Sequence, residues 1–170
     1  HIRGGMDLGM KFWKEGKMLN KKNTFEDYIA VAKFLIKKNY TSTGNIIGLG
    51  GSAGGLLMGA VVNQSPELFL GIIMAVPFVD SLTTNLDHSL PLTVGELLEF
   101  GNAKDNKKHF DYIYSYAPYN NIKKMNYPHM LITTNLSDNR VLFDEPTKFT
   151  AKLRDYKTDN NLLLLKTEMN

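Results

Sequence analysis

A chain of 170 residues, 43% of them hydrophobic, is long enough to bury one core and short enough that a single domain, or part of one, is expected. Its net charge of +3 comes from lysines spread along the sequence, which is the pattern of a solvated surface and argues against nucleic-acid binding. No run approaches the roughly 20 apolar residues of a membrane span, and the absence of cysteine removes disulfides and thiolate metal sites. The expectations are a cytoplasmic protein with no nucleic-acid or membrane partner, no metal and no cofactor. The chain opens on His1, with neither a charged nor an apolar leader, so it is expected to be a fragment of something longer and not secreted.

Thr24 and Asp27 have capping-box spacing, and Phe25, Tyr28, Ile29, Ala32, Leu35 and Ile36 then recur on one helical face. Turn residues from Thr41 to Asn45 lead into an apolar strand, Ile46 to Leu49, and a helix is predicted over Ala53 to Asn63, closed by Ser65-Pro66. Further strands are predicted at Ile72 to Val76, Met130 to Thr134 and Leu162 to Leu165, with Pro146 in the first turn of a helix carrying Phe149 and Leu153. Short apolar strands alternating with helices define an α/β class with a mostly parallel, doubly wound sheet and helices on both faces. Between Pro77 and Pro128 the alternation lapses into an excursion of small helices and substrate contacts.

The chemistry concentrates at Gly50-Gly51-Ser52-Ala53-Gly54-Gly55, directly after the strand. A serine on a sharp strand-to-helix turn needs glycine where a Cβ would strike a neighbouring backbone, and Gly50 and Gly54 are the positions expected to meet that need. A phosphate-binding loop would show G-x-G-x-x-G or Gly-Lys-Ser/Thr, and neither occurs. A serine nucleophile needs a histidine base and a carboxylate to orient it. Asp138, in the loop beyond Met130 to Thr134, is the favoured acid and Asp80 its rival. His1, His88, His109 and His129 all precede Asp138, so the order Ser, Asp, His is not completed. His129 reads as the first residue of a strand, His88 and His109 as exposed. Phe12, Trp13 and the tyrosines from Tyr112 to Tyr119 read as packing or pocket wall, since no basic stripe accompanies them.

His1-Ile2-Arg3-Gly4-Gly5, Gly50 to Gly55, Val76-Pro77-Phe78-Val79-Asp80, Pro91 to Glu96 and Ser137-Asp138-Asn139-Arg140-Val141 together resemble the oligopeptidase B branch of the prolyl oligopeptidase family, across nearly the whole chain. The resemblance implies part of an α/β-hydrolase catalytic domain, normally gated by a β-propeller, in a cytoplasmic serine endopeptidase cutting short peptides after Arg or Lys. It implies Ser52 as nucleophile, Asp138 as triad acid, and the Ala53 N–H as one oxyanion-hole donor. The second donor, a tyrosine hydroxyl, would lie before His1, and the histidine would lie in a Gly-His-Gly-Gly motif after Asn170. The propeller and the histidine-bearing segment are thus expected outside residues 1–170, on the same polypeptide or on a separate chain, and the chain alone is expected to be nearly inert.

Glu96 is the residue implied to receive the basic side chain, and Arg140 stands close to the substrate. The chain reads Gly95-Glu96-Leu97-Leu98-Glu99-Phe100-Gly101-Asn102, with Leu98 where the family motif has a glutamate. Two other readings stand beside the peptidase. One is an inactive remnant of a split or decayed gene, favoured by the missing histidine and by Leu98. The other is an esterase or lipase on the same fold, which would not need Glu96.

Overall fold

The computed structural model describes residues 1–169. Its framework is a four-stranded parallel sheet in the order β1 (Ile46–Gly51), β2 (Phe69–Ala75), β3 (His129–Asn135) and β4 (Leu163–Glu168). The helices are α1 (Met10–Lys14), α2 (Lys22–Lys37), α3 (Ala53–Gln64), α4 (Ser81–Leu86), α5 (Thr93–Phe100), α6 (Lys107–Tyr114) and α7 (Asp144–Tyr156). The predicted strands and the helices at α2, α3 and α7 all occur, with ends shifted by a few residues. The stretch between Pro77 and Pro128 is the excursion expected of it, built from α4, α5, α6 and a single 3-10 turn.

Neighbouring strands follow chain order, so right-handed crossovers deposit their helices on the same face of the sheet. Burial agrees: Ile72, Met74, Met130 and Ile132 point into a core with Leu56, Met58, Val61 and Val62 of α3 and Phe149 and Leu153 of α7. Phe25, Ile29 and Ala32 of α2 close its flank. The α/β class and the parallel sheet are as expected. Among the described residues the helical layer lies on one face, while the other carries exposed Ile47, Leu49 and Leu164, an apolar row of the kind a second layer buries. No helix among the described residues is long and apolar enough to cross a membrane.

The capping box is a correction. Helix α2 begins at Lys22, and Thr24 lies inside it, donating its hydroxyl to Arg3 O at 2.7 Å and Gly16 O at 3.2 Å. Asp27 accepts from the Arg3 backbone N–H at 2.9 Å and from its guanidinium at 2.8 and 2.6 Å. Those hydrogen bonds hold the Asp27 carboxyl below its ordinary range. Both residues anchor the opening loop to α2, a contact spanning more than 20 positions that local spacing cannot reveal. Arg3 is thereby a structural residue that anchors its loop.

The sheet's packing sets its sensitivity. Ile132 is fully buried at the centre of β3, so Ile132→Ala is expected to lower stability by about 2–5 kcal/mol in urea denaturation.

Candidate active site

Strand β1 runs into Ser52, which holds φ 52° and ψ −118°, a conformation non-glycine residues rarely adopt, before α3 begins at Ala53. Such a backbone is strained by about 1–3 kcal/mol and persists only where its surroundings fix it. Here they do so from both sides. The Ser52 N–H donates to Ala75 O at 2.9 Å, at the end of β2. The Ser52 carbonyl accepts from Phe78 N–H at 3.0 Å, Gly55 N–H at 2.8 Å and Leu56 N–H at 3.2 Å. Between Ala75 and Phe78 the chain turns through Val76, itself at φ 41°, whose N–H donates to Thr133 O of β3 at 2.8 Å. Three elements therefore converge on one serine, which stays exposed at the carboxyl edge of the sheet.

The glycines divide their work differently from the expectation. A Cβ on Gly50 would overlap the Gly54 carbonyl, so Gly50 permits the close approach of strand and helix, as anticipated. A Cβ on Gly54 would meet nothing within 4 Å, and nothing in the described residues explains glycine there. The tight contact is at Gly55, where a Cβ would overlap Pro77, the residue after the strained Val76. Gly55 lets the β2 exit loop press against the first turn of α3.

Ser52 and Ala53 open onto a cleft that is also lined by Glu96 of α5 and Arg140 of the loop after β3. Phe78, Leu90, Leu92 and Phe100 give it an apolar lining, and Thr84, Thr93 and Val141 complete it. The sequence had named none of these seven as pocket residues, although its motifs Val76 to Asp80, Pro91 to Glu96 and Ser137 to Val141 contain Phe78, Leu92, Thr93 and Val141. Ala53 is the first residue of α3, so its N–H has no carbonyl to reach within the helix, and it adds to the partial positive charge of a 12-residue helix's N-terminus. The arrangement suits an anion developing beside Ser52.

Glu96 is half-buried. Burial pushes its carboxyl above the ordinary range, Arg140 opposes that shift by its positive charge, and Glu99 reinforces it. Glu99 itself is occupied, accepting from Lys21 Nζ at 2.9 Å and Trp13 Nε1 at 3.2 Å, so it pins α5 to the N-terminal segment. Leu98 is 74% exposed and is not part of the cleft.

Asp138 sits in the same loop as Arg140 without lining the cleft itself. Its Oδ1 accepts from the N–H groups of Arg140 at 2.8 Å and Val141 at 3.1 Å, so the carboxylate shapes the loop that presents both. The rival Asp80 is 1% exposed, paired with Lys148, and does not line the cleft. None of the four histidines lines the cleft. His1 pairs with Asp7 at 3.1 Å, His109 Nδ1 accepts from Asn102 N–H at 3.0 Å, and His129 Nδ1 accepts from Leu162 N–H at 3.0 Å. His129 is the first residue of β3, as expected; His88 and His109, expected to be exposed, are both only half-exposed, and His88 Nε2 is buried and unpartnered among the described residues.

A strained serine between a parallel strand and a helix, opening on a cleft at the sheet's carboxyl edge, defines a serine hydrolase of the α/β type. The chain matches the prolyl oligopeptidase family along residues 1–170 and belongs to that family of serine peptidases. It is 52% identical over 168 residues to Protease 2 of Moraxella lacunata, and 45% identical over 169 residues to dipeptidyl aminopeptidase BI of Pseudoxanthomonas mexicana. Each match covers 99% of this chain, but only 24% and 23% of those relatives, so the chain spans about a quarter of their length. The solved structure of oligopeptidase B from Leishmania major superposes with a TM-score of 0.96 at 47% identity, over 99% of this chain and 23% of that one.

The elbow's packing is testable by itself. Gly55→Ala forces a methyl against Pro77 and is expected to lower stability by about 1–3 kcal/mol in chemical denaturation, whereas Gly54→Ala is expected to change it by less than about 0.5 kcal/mol.

Proposed function

We propose that residues 1–170 form the central part of the catalytic domain of a serine endopeptidase that cuts short peptides after Arg or Lys. The observation carrying this reading is one cleft lined by both a strained serine and a half-buried glutamate. In it the Ser52 Oγ attacks the scissile carbonyl carbon while a histidine takes the hydroxyl proton. The carbonyl's electron pair moves to oxygen, and the Ala53 N–H donates to that oxyanion. Collapse expels the amine, which receives the proton from the histidine, and water then cleaves the acyl-enzyme by the same route. Glu96 receives the guanidinium or ammonium of the residue before the cut, a charge-assisted contact strengthened by the apolar lining. Arg140 stands beside the substrate, and Asp138 orients the histidine.

The four histidines here are placed elsewhere, so this reading assigns the base, and the gating propeller, to segments outside 1–170. The competing outcome is a remnant without catalysis. Hydrolysis of Arg-linked amides by the full-length product of the gene encoding this chain separates the two. The peptidase reading expects turnover that falls at least 10³-fold in Ser52→Ala. It also expects turnover by residues 1–170 alone to be lower by a similar factor. Absence of Ser52-dependent turnover in the full-length product overturns the peptidase reading.

Glu96 makes a second test. Glu96→Gln is expected to raise KM for Arg and Lys substrates at least tenfold while leaving uncharged ones within about twofold. Because burial raises its carboxyl, affinity for basic substrates is expected to fall on acidification beginning at a pH above the value near 4.3 of a free glutamate. A pH profile of KM for charged against uncharged substrates reads this directly.

A further inference from the structure

Behind the cleft wall lies a buried charged cluster that the proposed chemistry does not use. Asp80, just before α4, is 1% exposed, and Glu145, in the first turn of α7, is 3% exposed. One Glu145 oxygen accepts from the Asp80 N–H at 2.8 Å, and the other accepts from the Thr84 hydroxyl. Lys148 pairs with Asp80 and, at 3.2 Å, with Asp144. The remaining Asp80 oxygen is buried without a partner among the described residues.

Thr84 also lines the cleft, and its carbonyl accepts from the Thr93 hydroxyl at 3.0 Å. Thr93 opens α5, which carries Glu96 one turn later. A continuous set of contacts therefore runs from α7 through Thr84 and Thr93 to the glutamate that lines the cleft with Ser52. A buried ionisable group is a poor way to gain stability, since a packed apolar side chain of similar volume does as well or better. What Glu145 supplies instead is two directed acceptors on α4.

We propose that Glu145 is a positioning residue: its carboxyl braces α4 against α7 and, through Thr84 and Thr93, fixes the wall that carries Glu96. The brace stands on geometry alone, while its consequence for substrate rests on the reading of Glu96 as the cation-holding group.

The brace has a pH signature. Burial pushes the Glu145 carboxyl up to about 7, against the opposing hydrogen bonds from Thr84 and the Asp80 N–H; the Asp80 charge adds to the rise and Lys148 subtracts from it. Asp80 faces it from the α4 side and Lys148 from its own helix, with Asp144 reaching it through Lys148. A buried value above the solvated one means the proton is bound more tightly while the wall is closed. Opening that wets Glu145 is therefore favoured increasingly as pH rises from about 4.5 to 7, and no further above it.

Hydrogen exchange of the full-length product at pH 5 and pH 8, corrected for intrinsic rates, tests this. Amides of residues 80–100 are expected to exchange at least tenfold faster at pH 8 in the parent protein, while those of β2 are unchanged. In Glu145→Gln, whose amide nitrogen cannot accept from one of the two donors, the wall's exchange is expected to lose that pH response, and KM for an Arg-linked amide to rise several-fold with kcat within about twofold. Thr84→Val, which removes the donor and leaves Glu145 in place, is expected to speed exchange of the wall at both pH values. It serves as the readout if Glu145→Gln does not fold. A parent wall indifferent to pH, or a pH response retained in Glu145→Gln, overturns the brace. Glu96→Gln leaves the brace intact, so its effect on Arg selectivity decides the reading of the cleft separately.

Discussion

The geometry of the candidate site depends on keeping Ser52 in a backbone conformation it would not adopt alone. The strain of about 1–3 kcal/mol is offset by hydrogen bonds that come from different elements. Ala75, at the end of β2, takes the serine N–H, and Phe78, two residues beyond the strained Val76, returns a donor to its carbonyl. Gly50 and Gly55 permit these approaches because each lacks the one atom that would prevent them. The serine is thus fixed by the parallel sheet, and its side chain is exposed.

That constraint explains how the cleft is distributed. The β2 exit supplies Phe78, α4 and α5 supply the wall with Glu96, and the loop after β3 supplies Arg140 and Val141. All leave the sheet at its carboxyl edge, where parallel α/β folds place their functional loops. Asp138 holds the third of these loops by accepting two of its N–H groups. Two ion pairs anchor the periphery: Lys21 with Glu99 behind α5, and Arg3 with Asp27 under the opening loop.

The sequence made the centre of this arrangement legible and its surroundings much less so. The apolar run Ile46 to Leu49 followed by Gly-Gly-Ser-Ala-Gly-Gly specifies a strand, a tight turn and a helix within a few residues, so local chemistry sufficed. Thr24 and Asp27 matched a local capping rule but spend their polar atoms on Arg3 and Gly16, which only the folded chain brings near. Gly54 fitted the motif, yet the close contact belongs to Gly55, because it depends on where Pro77 lands. Glu145 carried no signal at all: its partners Asp80 and Thr84 lie 65 and 61 positions away. Local pattern revealed the strained serine, and long-range packing decided what surrounds it.

The most direct test of the central claim is to treat the full-length product with a fluorophosphonate and locate the adduct by peptide mass spectrometry. A serine activated by this elbow should give a single phosphonylated residue, Ser52, and none after denaturation. An unmodified Ser52, or an adduct on another serine, would contradict the account.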